Sequence, residues 1–316
     1  MRYLVTGGAG FIGSNTVDEL VRRGHGVVVL DDLSAGKEEN LTEVRSKITF
    51  VKGSITDVET VQKAMHQAEY VIHLAARTSV PRSVKDPLET NRVNIEGTLN
   101  VLVAARDNKV KRLVFAASSS AYGETPTLPK TEGMEPKPIS PYGVSKYVGE
   151  LYASVFGRCY GLETVCLRYF NIFGPRQDPD SPYSGVLSRF ATAFLTGDRP
   201  LVYGDGEQTR DFTFVENAVQ ANLLACEAPA AAGQVFNVGT GSRVSLNQTL
   251  ELLRGISGKK LQAQFDAPRD GDIRDSQADI AKAREMLGYE PTVGFEEGLE
   301  RTYAWYQQQQ AKTAAT

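Results

Sequence analysis

The run Thr6-Gly7-Gly8-Ala9-Gly10-Phe11-Ile12-Gly13 constrains the fold more than any other stretch. It follows a buried-strand pattern, Tyr3–Thr6, and opens a helical pattern, Gly13–Arg23. Glycines at 7, 10 and 13 let the backbone approach an anion at a helix N-terminus, where free N–H groups and the helix dipole favour negative charge. A glycine triplet alone is weak evidence, but a strand before it and a helix after it give the required context. The next strand pattern, Val27–Leu30, ends at Asp31, 18 positions beyond Gly13. An acid there accepts hydrogen bonds from ribose hydroxyls and repels a 2′-phosphate. The two features together read as a dinucleotide site that favours NAD over NADP.

The same alternation continues. Ile48–Val51, Tyr70–Leu74, Leu113–Ala117 and Thr164–Leu167 are short apolar runs suited to a sheet covered on both faces. Between them lie helical patterns over Val58–His66, Pro87–Asn108 and Pro141–Tyr160. Strands alternating with helices predict a doubly wound parallel α/β sheet. After Arg168 the pattern loosens, with loops expected at Gly174–Tyr183 and Gly204–Arg210. One more strand is expected at Phe236–Val238, and Ser245 reads as the N-cap of a helix through Arg254. A smaller C-terminal α/β lobe is therefore interleaved with the sheet, which assigns residues 1–171 and 211–238 to one domain and 172–210 and 239–316 to the other. The residues from Gln307 to Thr316 read as a frayed tail.

Composition narrows the class. A net charge of −3 on 316 residues does not point to nucleic acid. No window approaches ~20 consecutive apolar residues, so no membrane span is expected. No signal-peptide layout precedes Arg2. Cys159, Cys166 and Cys226 form no CxxC pair and no metal spacing. They read as small buried residues of a protein in a reducing cytoplasm, with no metal.

Tyr142 and Lys146 are four apart at the start of a helix behind Pro141, so phenol and ammonium share one face. An ammonium near a phenol lowers its pKa, which fits tyrosine for acid–base work near neutral pH. Ser118-Ser119-Ser120 follows the fifth strand, at the sheet edge where doubly wound folds bind ligands. A hydroxyl there can relay or orient the proton.

These motifs, together with HLAA at 73–76, SSSAYG at 118–123, YGVSK at 142–146 and LRYFNIFGPRQDP at 167–179, resemble the extended short-chain dehydrogenase/reductase family from residue 1 to about 305. The resemblance implies a Rossmann domain holding NAD and a lobe gripping a nucleoside diphosphate sugar. It implies a homodimer joined through helices 87–108 and 141–160. Tyr142 would be the base, Lys146 its tuner on the nicotinamide ribose, and Ser118 the hydroxyl sharing the substrate proton. The implied cofactor site comprises Gly7, Gly10, Phe11, Ile12, Gly13, Asp31, Asp32, Ser54, Ile55, Leu74, Ala75, Ala76, Asn94, Tyr142, Lys146 and Tyr169. The implied substrate site comprises Arg82, Ser118, Ser119, Ser120, Tyr142, Asn171, Arg210, Arg269, Asp272 and Ser276, with Arg210 and Arg269 clamping the diphosphate. The chain departs from the pattern at Gly53-Ser54-Ile55. Many relatives carry an acid there for the adenine amino group, and Ser54 is a weaker acceptor.

The family hosts several reactions, so fold alone decides nothing. Its dehydratases place an Asp-Glu pair after the catalytic hydroxyl residue, and its sugar-acid decarboxylases a Glu two positions on. Here those positions are Ser119 and Ser120. What remains is reversible oxidation: a UDP-hexose 4-epimerase working through a 4-keto sugar, or a net reductase. The segment 269–276 resembles that of UDP-N-acetylglucosamine 4-epimerases, with Ser276 small enough to admit an N-acetyl group at C2. UDP-glucose would also fit, since a pocket rejects an underfilling ligand weakly. A UDP-glucuronate 4-epimerase and a non-catalytic NAD sensor stay open as alternatives. Asn171 speaks against the first and the intact Tyr–Lys pair against the second.

Overall fold

The computed structural model describes residues 1–178, 185–268 and 273–314. The strands in chain order are β1 (Arg2–Thr6), β2 (Gly26–Asp31), β3 (Ile48–Lys52), β4 (Tyr70–His73), β5 (Arg112–Ser118) and β6 (Glu163–Tyr169). The short strands β7 (Ile172–Phe173), β8 (Leu201–Tyr203), β9 (Thr209–Arg210) and β10 (Thr213–Phe214) follow, then β11 (Val235–Val238), β12 (Val244–Ser245) and β13 (Gln264–Asp266). The helices are α1 (Phe11–Arg22), α2 (Val58–Met65), α3 (Val80–Lys85), α4 (Pro87–Asn91), α5 (Gly97–Asp107), α6 (Pro141–Tyr160), α7 (Val186–Thr196), α8 (Val215–Glu227), α9 (Leu246–Ser257), α10 (Ala281–Leu287) and α11 (Phe295–Ala314).

Seven strands form one parallel sheet in the order β11-β6-β5-β4-β1-β2-β3. Both faces are covered, which is why its strands are apolar without alternation. On one face Val5, Val29, Val114 and Leu167 meet Leu20 of α1, Leu223 of α8 and Leu287 of α10. On the other, Leu4, Leu30, Val71 and Leu113 meet Val61 of α2, Leu102 of α5 and Phe156 of α6. The chain reverses direction across the sheet between β1 and β4, and the loops after these strands part at that point to open a crevice. A third core lies away from the sheet, where Phe173, Phe190, Phe214, Leu250, Leu299 and Tyr303 gather α7, α9 and α11.

Local chemistry sets the helix ends that matter for the site. Ser140 Oγ accepts the Gly143 N–H at 3.1 Å, Pro141 occupies the first turn of α6, and Gly161 closes it at φ +71°. Ser245 caps α9 as expected, in a reciprocal box with Gln248, and that helix runs on to Ser257.

Four expectations need correction. The Pro87–Asn108 helix is interrupted by a wide π turn over Arg92–Glu96, which swings Asn94 inward. Residues 307–314 are not frayed: α11 continues to Ala314, because good helix formers extend a helix whose earlier turns are anchored by Leu299 and Tyr303. Cys159 is exposed on α6, whereas Cys166 and Cys226 are buried. Within Gly204–Arg210, the last two residues form β9, paired antiparallel with β12. No helix among the described residues is long and apolar enough to cross a membrane.

Candidate active site

The crevice is a cavity of about 1490 Å³ at the carboxyl edge of the sheet. That exceeds the ~300–1,000 Å³ usual for one small ligand, so two ligands can lie end to end in it. The glycine loop forms its floor. Gly7 sits at φ +70°, and a Cβ there would lie 2.7 Å from the Ala75 backbone nitrogen. A Cβ at Gly13 would lie 2.0 Å from the Gly7 carbonyl oxygen. No side chain caps α1 at Gly10, which leaves its first N–H groups to the cavity. Asp31 is buried beside them, and burial raises its pKa. It accepts the Leu33 N–H at 2.8 Å and the Ala9 N–H at 2.9 Å, with lone pairs left for a ligand. Loop, open helix end and acid together fit a dinucleotide.

Phe11, Ile12, Asp32, Ser54, Ile55, Leu74, Ala75 and Ala76 line the same cavity. Ser54 is partly engaged already, with its hydroxyl 2.9 Å from that of Thr56 and accepting the Thr56 N–H at 3.2 Å. Tyr169 also lines the cavity, but its hydroxyl donates away from it, to Asn222 Oδ1 at 2.6 Å. Asn94 is placed differently from the sequence reading. Its amide accepts the Arg77 N–H at 2.7 Å and donates to the Arg77 carbonyl at 3.1 Å and to Ser145 Oγ at 3.0 Å. Both amide hydrogens are thereby taken, and Asn94 shapes the loop after β4 instead of facing the cavity.

Ser118, Ser119, Ser120, Tyr142 and Lys146 converge at the ends of β5 and α6. Ser118 Oγ accepts the Ser120 hydroxyl at 2.8 Å and the Ser120 N–H at 3.2 Å. With both lone pairs taken, its own proton is the one it can offer to the Tyr142 oxygen on the same edge of the cavity. Burial pushes the Tyr142 phenol up, and the Ser118 hydroxyl pulls it back. On balance the phenol stays above its ordinary value, and Ser118 is the neighbour that lowers it. Lys146 donates instead to the Ala116 carbonyl at 2.8 Å, and burial pushes its ammonium down to about 8. The backbone of Tyr142 is fixed by its N–H to Ser83 Oγ at 3.0 Å, a contact from α3 that the sequence did not reveal.

Arg82, Asn171, Arg210 and Ser276 line the cavity as well. Asn171 adopts φ +40° and donates to the Asp211 carbonyl at 3.1 Å. Arg210 Nη1 donates to the carbonyls of Thr209 and Arg274 at 2.9 and 3.0 Å. Arg269 and Asp272 lie outside the described residues. Lys37, Trp305 and Gln309, outside every motif of the sequence, line the cavity too, as does Arg176 of the 167–179 motif. Only the isolated tryptophan in a polar C-terminal stretch could have drawn notice.

A doubly wound sheet, a glycine cradle at its crossover and a Ser–Tyr–Lys set along the same edge define a dinucleotide-dependent enzyme. The chain belongs to the NAD dependent epimerase/dehydratase family, which it matches over residues 3–239. It is 43% identical to the UDP-glucose 4-epimerase of Mycolicibacterium smegmatis, over 97% of this chain and 98% of that one. Among solved structures, the UDP-glucose 4-epimerase of Thermotoga maritima, bound to UDP-glucose, superposes with a TM-score of 0.94 at 43% identity, covering 98% of this chain and 100% of that one. The UDP-N-acetylglucosamine 4-epimerase of Methanobrevibacter ruminantium M1, in complex with UDP-N-acetylmuramic acid, also gives 0.94, at 40% identity over 98% of each chain.

Proposed function

We propose that the protein is a UDP-hexose 4-epimerase that interconverts UDP-GlcNAc with UDP-GalNAc and UDP-Glc with UDP-Gal. The observation that carries this reading is the convergence of Ser118, Tyr142 and Lys146 on one edge of the cavity, with Ser119 and Ser120 beside Ser118. Dehydration or decarboxylation needs a carboxyl group at those flanking positions, and reversible oxidation needs only a base. NAD, when bound, accepts and returns the hydride of the sugar's C4. The Tyr142 oxygen takes the proton of the 4-hydroxyl, and Ser118 holds that oxygen in line by donating to it. Lys146, mostly charged at neutral pH, keeps positive charge at the sheet edge beside Ala116. Arg210 anchors the diphosphate while the 4-keto sugar turns over, and the small Ser276 side chain leaves room for the C2 substituent.

In this reading, segments 1–171 and 211–238 hold the cofactor, and 172–210 and 239–316 hold the sugar nucleotide. Exposed Val84, Leu88, Val144, Leu151 and Val155 on α3, α4 and α6 support pairing of two copies through these helices. Three unpaired cysteines accord with a reducing cytoplasm. The test is incubation of the protein, without added cofactor, with UDP-GlcNAc, UDP-Glc or UDP-GlcA, followed by anomeric proton NMR. The galacto-epimers of the first two are expected, with the acetamido pair preferred. No epimer from any of the three, even with NAD supplied, overturns the reading.

A further inference from the structure

We propose that the C-terminal half of α11 is a latch over the cofactor cavity, with Tyr306 as its catch, and that it sets how slowly the dinucleotide leaves. α11 is rooted in the lobe, where Leu299, Tyr303 and Tyr306 are buried in the third core beside Phe173, Phe190 and Leu250. Its far end reaches the other half of the molecule. Trp305, Tyr306, Gln309 and Lys312 line the same cavity as Gly10, Asp31 and Lys37. From Trp305 to Lys312 the helix spans ~10 Å, so one element covers an appreciable length of the opening.

Its ties run to α1, the helix whose N-terminus opens on the cavity. Tyr306 Oη donates to the Gln177 carbonyl at 2.5 Å. The stretch holding Gln177 is fastened to α1 on its other side, by Arg176 Nη2 to Asp18 Oδ2 at 2.6 Å and by Asn15 Nδ2 to the Pro175 carbonyl at 3.3 Å. Lys37 Nζ lies 3.7 Å from Asp178 Oδ1 and joins the segment after β2 to the same stretch. Phe11 and Ile12, the first residues of α1, pack directly on the third core. The helix whose N-terminus would receive a pyrophosphate is therefore held at that end by the third core and along its body by the stretch to which α11 is tied. For the dinucleotide to leave, Tyr306 must part from Gln177 and the end of α11 must swing away.

This inference rests on the cavity being the NAD site and not on which sugar is turned over. Its test reads cofactor exchange rather than turnover. Holoprotein would be mixed with isotopically labelled NAD and the bound pool followed by mass spectrometry. Tyr306→Phe keeps the buried ring and removes only the tie, and exchange about tenfold faster than wild type is expected. A chain ending at Ala304 should exchange faster still. Trp305, the only tryptophan in the chain, reports independently: its fluorescence should be quenched by bound reduced cofactor in wild type and less so in Tyr306→Phe. Exchange in Tyr306→Phe no faster than in wild type overturns the latch, and the point variant decides alone should the shortened chain fail to fold.

Discussion

The two long walls of the cavity are built on different principles. The wall bearing Ser118, Tyr142 and Lys146 rests on the sheet: Ser118 ends β5, directly opposite Tyr169 at the end of β6, after seven consecutive paired positions. The wall bearing Arg210 and Ser276 rests on fragments. Arg210 lies on a two-residue strand, and the Ser276 N–H reaches the Thr209 carbonyl at 3.1 Å. What unites those fragments is the buried Asp211 carboxylate, which accepts N–H groups from Thr240, Gly241 and Ala278 at 2.8–3.0 Å. Long register fixes the reacting groups against displacement, as chemistry sensitive to small misplacements requires. Short ladders tied to one acid allow the recognition wall to change by single substitutions while the sheet stays as it is.

The largest break in that contrast should come from Tyr142→Phe. Removing the base is expected to lower kcat by about 10³-fold or more while NAD stays bound. Turnover close to wild type would mean that another group takes the proton. A smaller effect probes the roots of the same wall. His73 lies buried at the end of β4, with Nδ1 2.7 Å from Thr6 Oγ1 and Nε2 3.0 Å from Thr98 Oγ1. Burial first, and the Lys146 charge second, push its pKa from 6.5 down to about 3. The unfolded chain therefore binds this proton below 6.5 and the folded chain does not until about 3. Its contribution to stability is complete above 6.5 and falls as pH drops toward 3. Between pH 7 and 5 the loss is about 2 kcal/mol. His73→Gln cannot titrate and should flatten that part of the pH dependence in urea melts. Equal slopes in the two proteins would remove His73 from the account.

Legibility in the sequence followed the same divide. The glycine cradle, Asp31 and the Tyr142–Lys146 spacing could be read directly, because each depends on neighbours within one turn or one strand–helix junction. The hydrogen bonds that give those residues their function could not. Ser118 lies 24 positions from Tyr142, and no local pattern shows that Ser120 takes up its lone pairs. The bonds of Asn94 to the Arg77 loop depend on a π turn, which is invisible to a 3.6-residue period. The end of α11 was missed for a related reason. Gln and Ala carry no apolar stripe, so only the anchoring of Tyr303 and Tyr306 in a distant core makes those turns ordered.

The recognition wall gives the last and smallest effect. Ser276 is 8% exposed and faces the cavity next to Arg210 and Ile273. A ligand group meeting it has little room to move aside. Enlarging it to tyrosine fills the space proposed for a C2 acetamido group but leaves that needed by a hydroxyl. A hydrophobic fit discriminates by only ~1–3 kcal/mol, so Ser276→Tyr should lower kcat/KM for UDP-GlcNAc relative to UDP-Glc by about tenfold. Because the catalytic wall has separate roots, the UDP-Glc rate should fall much less. Rates measured for both sugars on both proteins check this. An equal loss on the two sugars would mean that the fragments around Asp211 transmit the change to Tyr142, and the two walls would then be one unit.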